Sequence, residues 1–138
     1  AQLLSDTLYS LQAGTLQRVP QEDGESTYAP MLDKSLCPID WSKPAREIHN
    51  QIRGLSPWPV AVTSLSGKRM KVHGSRMTGR ESTLPYGTVT GVDGEICVAC
   101  GDGAVLSLLC IQAEGGKRMD ASDYLRGHPI PKGTRLGE

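Results

Sequence analysis

The stretch from Ile39 to Pro59, IDWSKPAREIHNQIRGLSPWP, leaves the chain little choice of local structure. Ala45, Ile48, Ile52 and Leu55 recur at three- and four-residue spacing, the period of one helical face, while Lys43, Arg46, Asn50 and Arg53 take the other side. Ser42 is the expected N-cap, and Pro44 falls in the first turn, where its missing N–H has no intrahelical partner to lose. Gly54 supplies a stop. Pro57 and Pro59 bracket Trp58 in an expected extended exit that cannot continue the helix. Trp41 and Trp58 flank the helix, and each is expected to bury its ring in seating it.

At Val60 the period changes. Val60, Val62 and Ser64 alternate with Ala61, Thr63 and Leu65; Ser66-Gly67 forms a turn; then Met70 and Val72 alternate with Arg69, Lys71 and His73. This predicts a hairpin whose second strand carries an outward basic row. Residues 76–85 read as a polar loop. Residues 87–92, 95–99 and 104–113 read as three further strands, separated by the hairpin dipeptides Asp93-Gly94 and Asp102-Gly103. Residues 120–125 read as one or two helical turns before a Gly- and Pro-rich tail.

Ahead of the domain, Ala1, Leu4, Leu8 and Leu11 share a helical face that ends at Gly14, and residues 19–27 are polar, acidic and turn-forming. The predicted fold class is α+β: an N-terminal helix and linker, then a helix packed on a small five-stranded antiparallel OB-like β-barrel.

The central stretch, TYAPML at residues 27–32, ACGDG at 99–103 and EGGKRM at 114–119 resemble, in order, the C-terminal part of bacterial methionyl-tRNA formyltransferases. Four ordered motifs around one helix are a specific signal, and they cover nearly the whole chain. The resemblance implies a parent enzyme that carries a formyl group from 10-formyltetrahydrofolate to the amino group of initiator methionyl-tRNA. It places the catalytic Asn, His and Asp in a Rossmann-like N-terminal domain of which only the last helix would be present here. The implied division is residues 1–18 as that terminal helix, 19–33 as linker, and 34–138 as a tRNA-binding barrel domain. No catalytic, folate-binding or metal-binding residue is expected in the chain, which alone should be inactive.

Overall charge says nothing about partners, because 15 basic residues balance 15 acidic ones. Its distribution is informative. Residues 43–80 hold eight basic residues and one acid, whereas residues 1–33 hold one basic residue and five acids. A charge run is commonly only a solvated face, but this asymmetry on a barrel of a type that often binds nucleic acid marks a phosphate-binding surface. The candidates are Lys43, Arg46, Arg53, Lys68, Arg69 and Lys71, with Lys117 and Arg118 on the Gly115-Gly116 tip. By its position just after TYAP, the resemblance adds Lys34 near the tRNA acceptor end. Two tryptophans and four tyrosines offer few stacking platforms, so backbone charge should dominate.

Other constellations carry less. Cys97 and Cys100 form a C-x-x-C, but Cys37 and Cys110 supply neither a second pair nor a nearby His, so buried free thiols are expected. His49, His73 and His128 lack a nucleophile or carboxylate placed by motif. Gly101, Gly103, Gly115 and Gly116 lack the strand–loop–helix order and the Lys-Ser/Thr ending of phosphate loops and read as turns. No apolar run approaches the roughly 20 residues of a membrane span, and a cytoplasmic protein is expected. The expected partners are initiator methionyl-tRNA, the catalytic domain, and a second copy docked through the orphaned N-terminal helix. Two other readings are the accessory domain of a formyltransferase acting on a sugar or on folate without RNA, and a small metal or redox protein.

Overall fold

The computed structural model describes residues 2–20, 22, 24, 26–92 and 94–138. They fall into two compact units, residues 1–30 and 31–138. The first contains α1 (Gln2–Gln12), in which no described residue is buried: Leu4, Leu8 and Leu11 are all exposed. Ala1, the first position of the predicted stripe, lies outside the described residues, as do three positions of the acidic segment that follows.

The second unit begins with a short 3-10 turn (Lys34–Leu36) and then α2 (Ala45–Gly54). The predicted stripe is its buried face. Ala45, Ile48 and Ile52 are fully enclosed and Leu55 nearly so, and the helix packs on β2 (Lys68–Glu81) and β5 (Ala104–Ala113). Ser42 does not cap it. Its N–H and hydroxyl both donate to Asp40 Oδ1, and Pro44 occupies the cap position without a side-chain bond. The role passes to Asp102, whose carboxylate oxygens each lie 3.2 Å from the Ala45 nitrogen. The exit after Gly54 is a series of turns rather than an extended segment, and Val60 takes φ +75° before β1.

The sheet follows the path β1 (Ala61–Leu65), β2, β5, β4 (Ile96–Ala99), β3 (Val89–Gly91), all antiparallel. A two-residue sixth strand, β6 (Met119–Asp120), pairs with β5 beyond β4 and leads into α3 (Ala121–Gly127). Ser66 (φ +50°) and Gly67 (φ +73°) give the left-handed pair that a tight hairpin turn needs between β1 and β2. Asp93, half of another predicted turn, lies outside the described residues.

Two features depart from the sequence reading. Residues 76–81 are not loop but the far half of β2: Arg76 pairs with Ser107 and Met77 with Leu106, while irregular register on both sides of Gly74 and after Met77 bends the strand. The tail, predicted only as Gly- and Pro-rich, joins the two ends of the sheet. Val89 N–H donates to Thr134 O, Leu136 N–H to Gly87 O, and Gly137 N–H to Ser64 O, at 2.8–3.0 Å. The remainder of the β1 edge is taken by Cys37 and Ile39, which bond Val62 in parallel.

The enclosed core runs from α2 through Met70, Val72, Ile96, Val98, Leu106, Leu108 and Ile111 to Ile130 and Leu136 of the tail. Trp41 belongs to it at 4% exposure, with Nε1 donating to Thr63 Oγ1 at 3.0 Å. Trp58 does not. It is 62% exposed, contrary to expectation: the turns that carry it bury Leu55 and Val60 at their two ends and leave Trp58 between them in solvent.

Candidate functional site

The predicted cations fall into three groups. Lys34 sits in the 3-10 turn, which Asp33 caps by accepting the Ser35 N–H at 2.6 Å. Gln51 of α2 ties that turn down, its Nε2 donating to Leu36 O and Pro38 O. So anchored, Lys34 lines a groove together with Arg69 of β2, Ile39, Val62 and Thr63.

Arg69 also lines a second groove, of about 310 Å³, together with Lys68 and Lys117. Leu65, Met70, Ala113, Tyr124 and His128 line it as well. The tip that carries Lys117 is fixed: Gly116 N–H donates to Ala113 O, Gln112 Nε2 donates to Gly116 O, and Gly115 takes φ +71°. One arginine thus joins cations from the 34–36 turn, the β1–β2 hairpin and the 114–118 loop, segments far apart in sequence.

Lys71 and Arg118 form a third group around His73. The half-buried imidazole has Nε2 3.4 Å from Gln112 Oε1, and its buried Nδ1 has no hydrogen-bond partner among the described residues. Burial pushes its pKa below the ordinary 6.5, and the charges of Arg118 and Lys71 push the same way. Arg118 also donates from Nε to Cys110 Sγ at 3.1 Å. Lys43, just before α2, and Arg46 and Arg53 on it are exposed and line neither of the two grooves. Lys43 borders a shallow apolar trough with Leu32 and Leu36, and Arg53 donates to Asn50 Oδ1.

The four cysteines are thiols rather than disulfides, three buried and Cys110 half-buried. Cys97 and Cys100 face apart: Cys100 enters the core, where burial raises its pKa to about 12, and Cys97 lines a small cleft with Arg76 and Glu95. Among the described residues no group of three or more His, Cys, Asp or Glu side chains could hold a metal. His49 Nδ1 is 2.9 Å from Ser75 Oγ. Sequence reasoning missed Tyr124, and it left His128 in a tail. Their spacing of four residues across a helix end was the available signal.

The family model for the formyl transferase C-terminal domain matches residues 31–129, a span that includes every one of these cations. The chain belongs to this family. Formyltransferase relatives extend the match to nearly the whole chain. Methionyl-tRNA formyltransferase from Trichlorobacter lovleyi is 49% identical over 138 residues, and that from Bacillus subtilis strain 168 is 40% identical over 138 residues. Each comparison covers 99% of this chain but only 42% and 44% of the respective relative, so the chain spans less than half their length. HypX from Aquifex aeolicus shares the fold of this formyltransferase domain at a TM-score of 0.61 and 13% identity, over 94% of this chain and 23% of HypX. No helix among the described residues is long and apolar enough to cross a membrane.

Proposed function

We propose that the chain is the C-terminal, tRNA-binding part of a methionyl-tRNA formyltransferase acting in the cytoplasm at translation initiation. The observation that carries this reading is the position of Arg69 between two grooves, with Lys34 on one side and Lys68 and Lys117 on the other. Cations converging from separate segments suit the regularly spaced phosphates of an RNA backbone better than they suit a single small anion. Lys71 and Arg118 add to the same surface, and Lys43, Arg46 and Arg53 supply further phosphate contacts from α2 and the residues just before it.

The parent enzyme would move a formyl group from 10-formyltetrahydrofolate to the amino group of initiator methionyl-tRNA. We assign the folate site and the catalytic groups to the part of the relatives that this chain does not span. The chain's own task is then to hold and orient the acceptor arm, and alone it should not turn over. Titration of initiator tRNA against salt tests the reading. Affinity should fall with a log–log slope of about −0.7 to −0.9 per phosphate contact. Salt-insensitive binding would refute it. Absence of binding would leave the accessory domain of a sugar or folate formyltransferase as the better description.

A further inference from the structure

Nothing in backbone binding accounts for the two rings that line the second groove. There the rings of Tyr124 and His128 stack nearly parallel, with centroids 4.6 Å apart and an interplanar angle of 10°. Tyr124 is half-buried and packs against the core, whereas His128 is exposed and lines the groove. The pair is held from both sides: Tyr124 is on α3, and the His128 N–H donates to Tyr124 O at 3.0 Å. One face of the imidazole is therefore covered by a phenol whose own position the core sets.

We propose that this groove receives one unpaired nucleotide of the bound RNA, its base stacked on His128 and its phosphate held by Lys68, Arg69 and Lys117. The inference rests on the tRNA-binding reading and adds a base-level contact to it. Three cations, apolar side chains and a rigid π surface line one groove and match the phosphate, sugar and base of a nucleotide. Lone phosphates need only the cations. Glu114 is the single carboxylate among the lining residues, and it leaves the balance positive. A paired base presents its faces to its neighbours in the stack and cannot reach the imidazole, so the site selects single-stranded nucleotides without reading their identity.

The test uses the 138-residue chain and two RNAs: a blunt duplex, and the same duplex with a four-nucleotide 3′ overhang. His128→Ala should weaken binding of the overhang RNA on the order of tenfold, the loss of one base–aromatic stack, and leave the blunt duplex unchanged. His128→Trp should restore the overhang affinity, because a larger π face replaces the smaller one. Equal loss on both RNAs, no loss on either, or a loss that Trp does not restore overturns the inference. Wild-type binding that is salt-dependent while His128→Ala is silent defeats this inference alone. Failure of the wild type to bind either RNA defeats the tRNA-binding reading with it.

Discussion

The carboxylate of Asp102, in the turn between β4 and β5, caps the first turn of α2 at the Ala45 N–H from 57 residues away. The same turn explains the ACGDG motif. Gly101 N–H donates to Lys43 O, and a Cβ on Gly101 would overlap the Ser42 carbonyl, while Gly103 takes φ +78°. Each residue of Gly101-Asp102-Gly103 thus docks the helix or closes the turn. Asp102→Ala should lower stability by about 1 kcal/mol, the usual worth of an N-cap, and Asp102→Asn by less. Gly101→Ala should cost about 3 kcal/mol or more, because backbone must move to admit the methyl. Urea midpoints order the three.

The two tryptophans should behave oppositely. Trp41 is enclosed and hydrogen-bonded to Thr63, so Trp41→Ala should cost about 3–5 kcal/mol. Trp58 stands largely in solvent, and Trp58→Ala should fall within about 0.5 kcal/mol of wild type. Comparable losses at both positions would contradict the burial described here.

Acid sensitivity should centre in part on Glu95. The Ser107 hydroxyl donates to it, and Arg76 bonds both its oxygens at 2.7–2.8 Å, holding its pKa below the ordinary 4.5. Because the folded value is depressed, the interaction stabilises above the ordinary value and is lost as pH falls through the depressed one. Glu95→Gln should therefore be less stable than wild type at pH 7, with the gap closing toward pH 3. Urea melts at the two pH values decide it, since the other carboxylates are common to both proteins.

Removing charge at the shared corner should weaken RNA binding without redirecting it. Lys68→Ala with Arg69→Ala should lower affinity for initiator and elongator tRNAs by similar factors and flatten the salt slope, because phosphate contacts position without specifying sequence. A selective loss of initiator tRNA in filter binding would show that these side chains read more than the backbone. In the same preparations, methionyl-tRNA and 10-formyltetrahydrofolate should give no formylation above background.

No described residue of α1 is buried, and an 11-residue helix in water is marginal. Deleting residues 1–18 should leave the urea midpoint of the barrel unchanged. If the chain self-associates through the exposed Leu4, Leu8 and Leu11, sedimentation should show the deletion to be monomeric.

Local pattern made α2 and the β1–β2 hairpin readable: an apolar period of 3.6, then alternation around Ser66-Gly67. β5 was readable for the same reason. The far half of β2 was not, since its outward residues are polar and Gly74 and Gly79 interrupt the alternation; only the partners Leu106 and Ser107 make it a strand. The capping role of Asp102 and the exposure of Trp58 depend on what lies across space, which spacing along the chain does not encode. The cations could be named from the sequence, but their grouping could not. Lys34 and Arg69 line one groove, with Gln51 of α2 tying down the turn that carries Lys34.

The last residues of the tail lie against Ser64 and Leu65 on one side and Gly87 to Val89 on the other, so the five residues from Gly133 to Gly137 pair with the N–H and C=O groups at both ends of the strand path. Without them, β3 and the second half of β1 would present bare edges, the surfaces along which sheets of separate molecules pair. Clipping after His128 or Pro129 would therefore harm the molecule mainly in company. A nicked chain still carries α2 and most of its core, yet it acquires two sticky flanks, and its solubility should fall with concentration well before its helix content does.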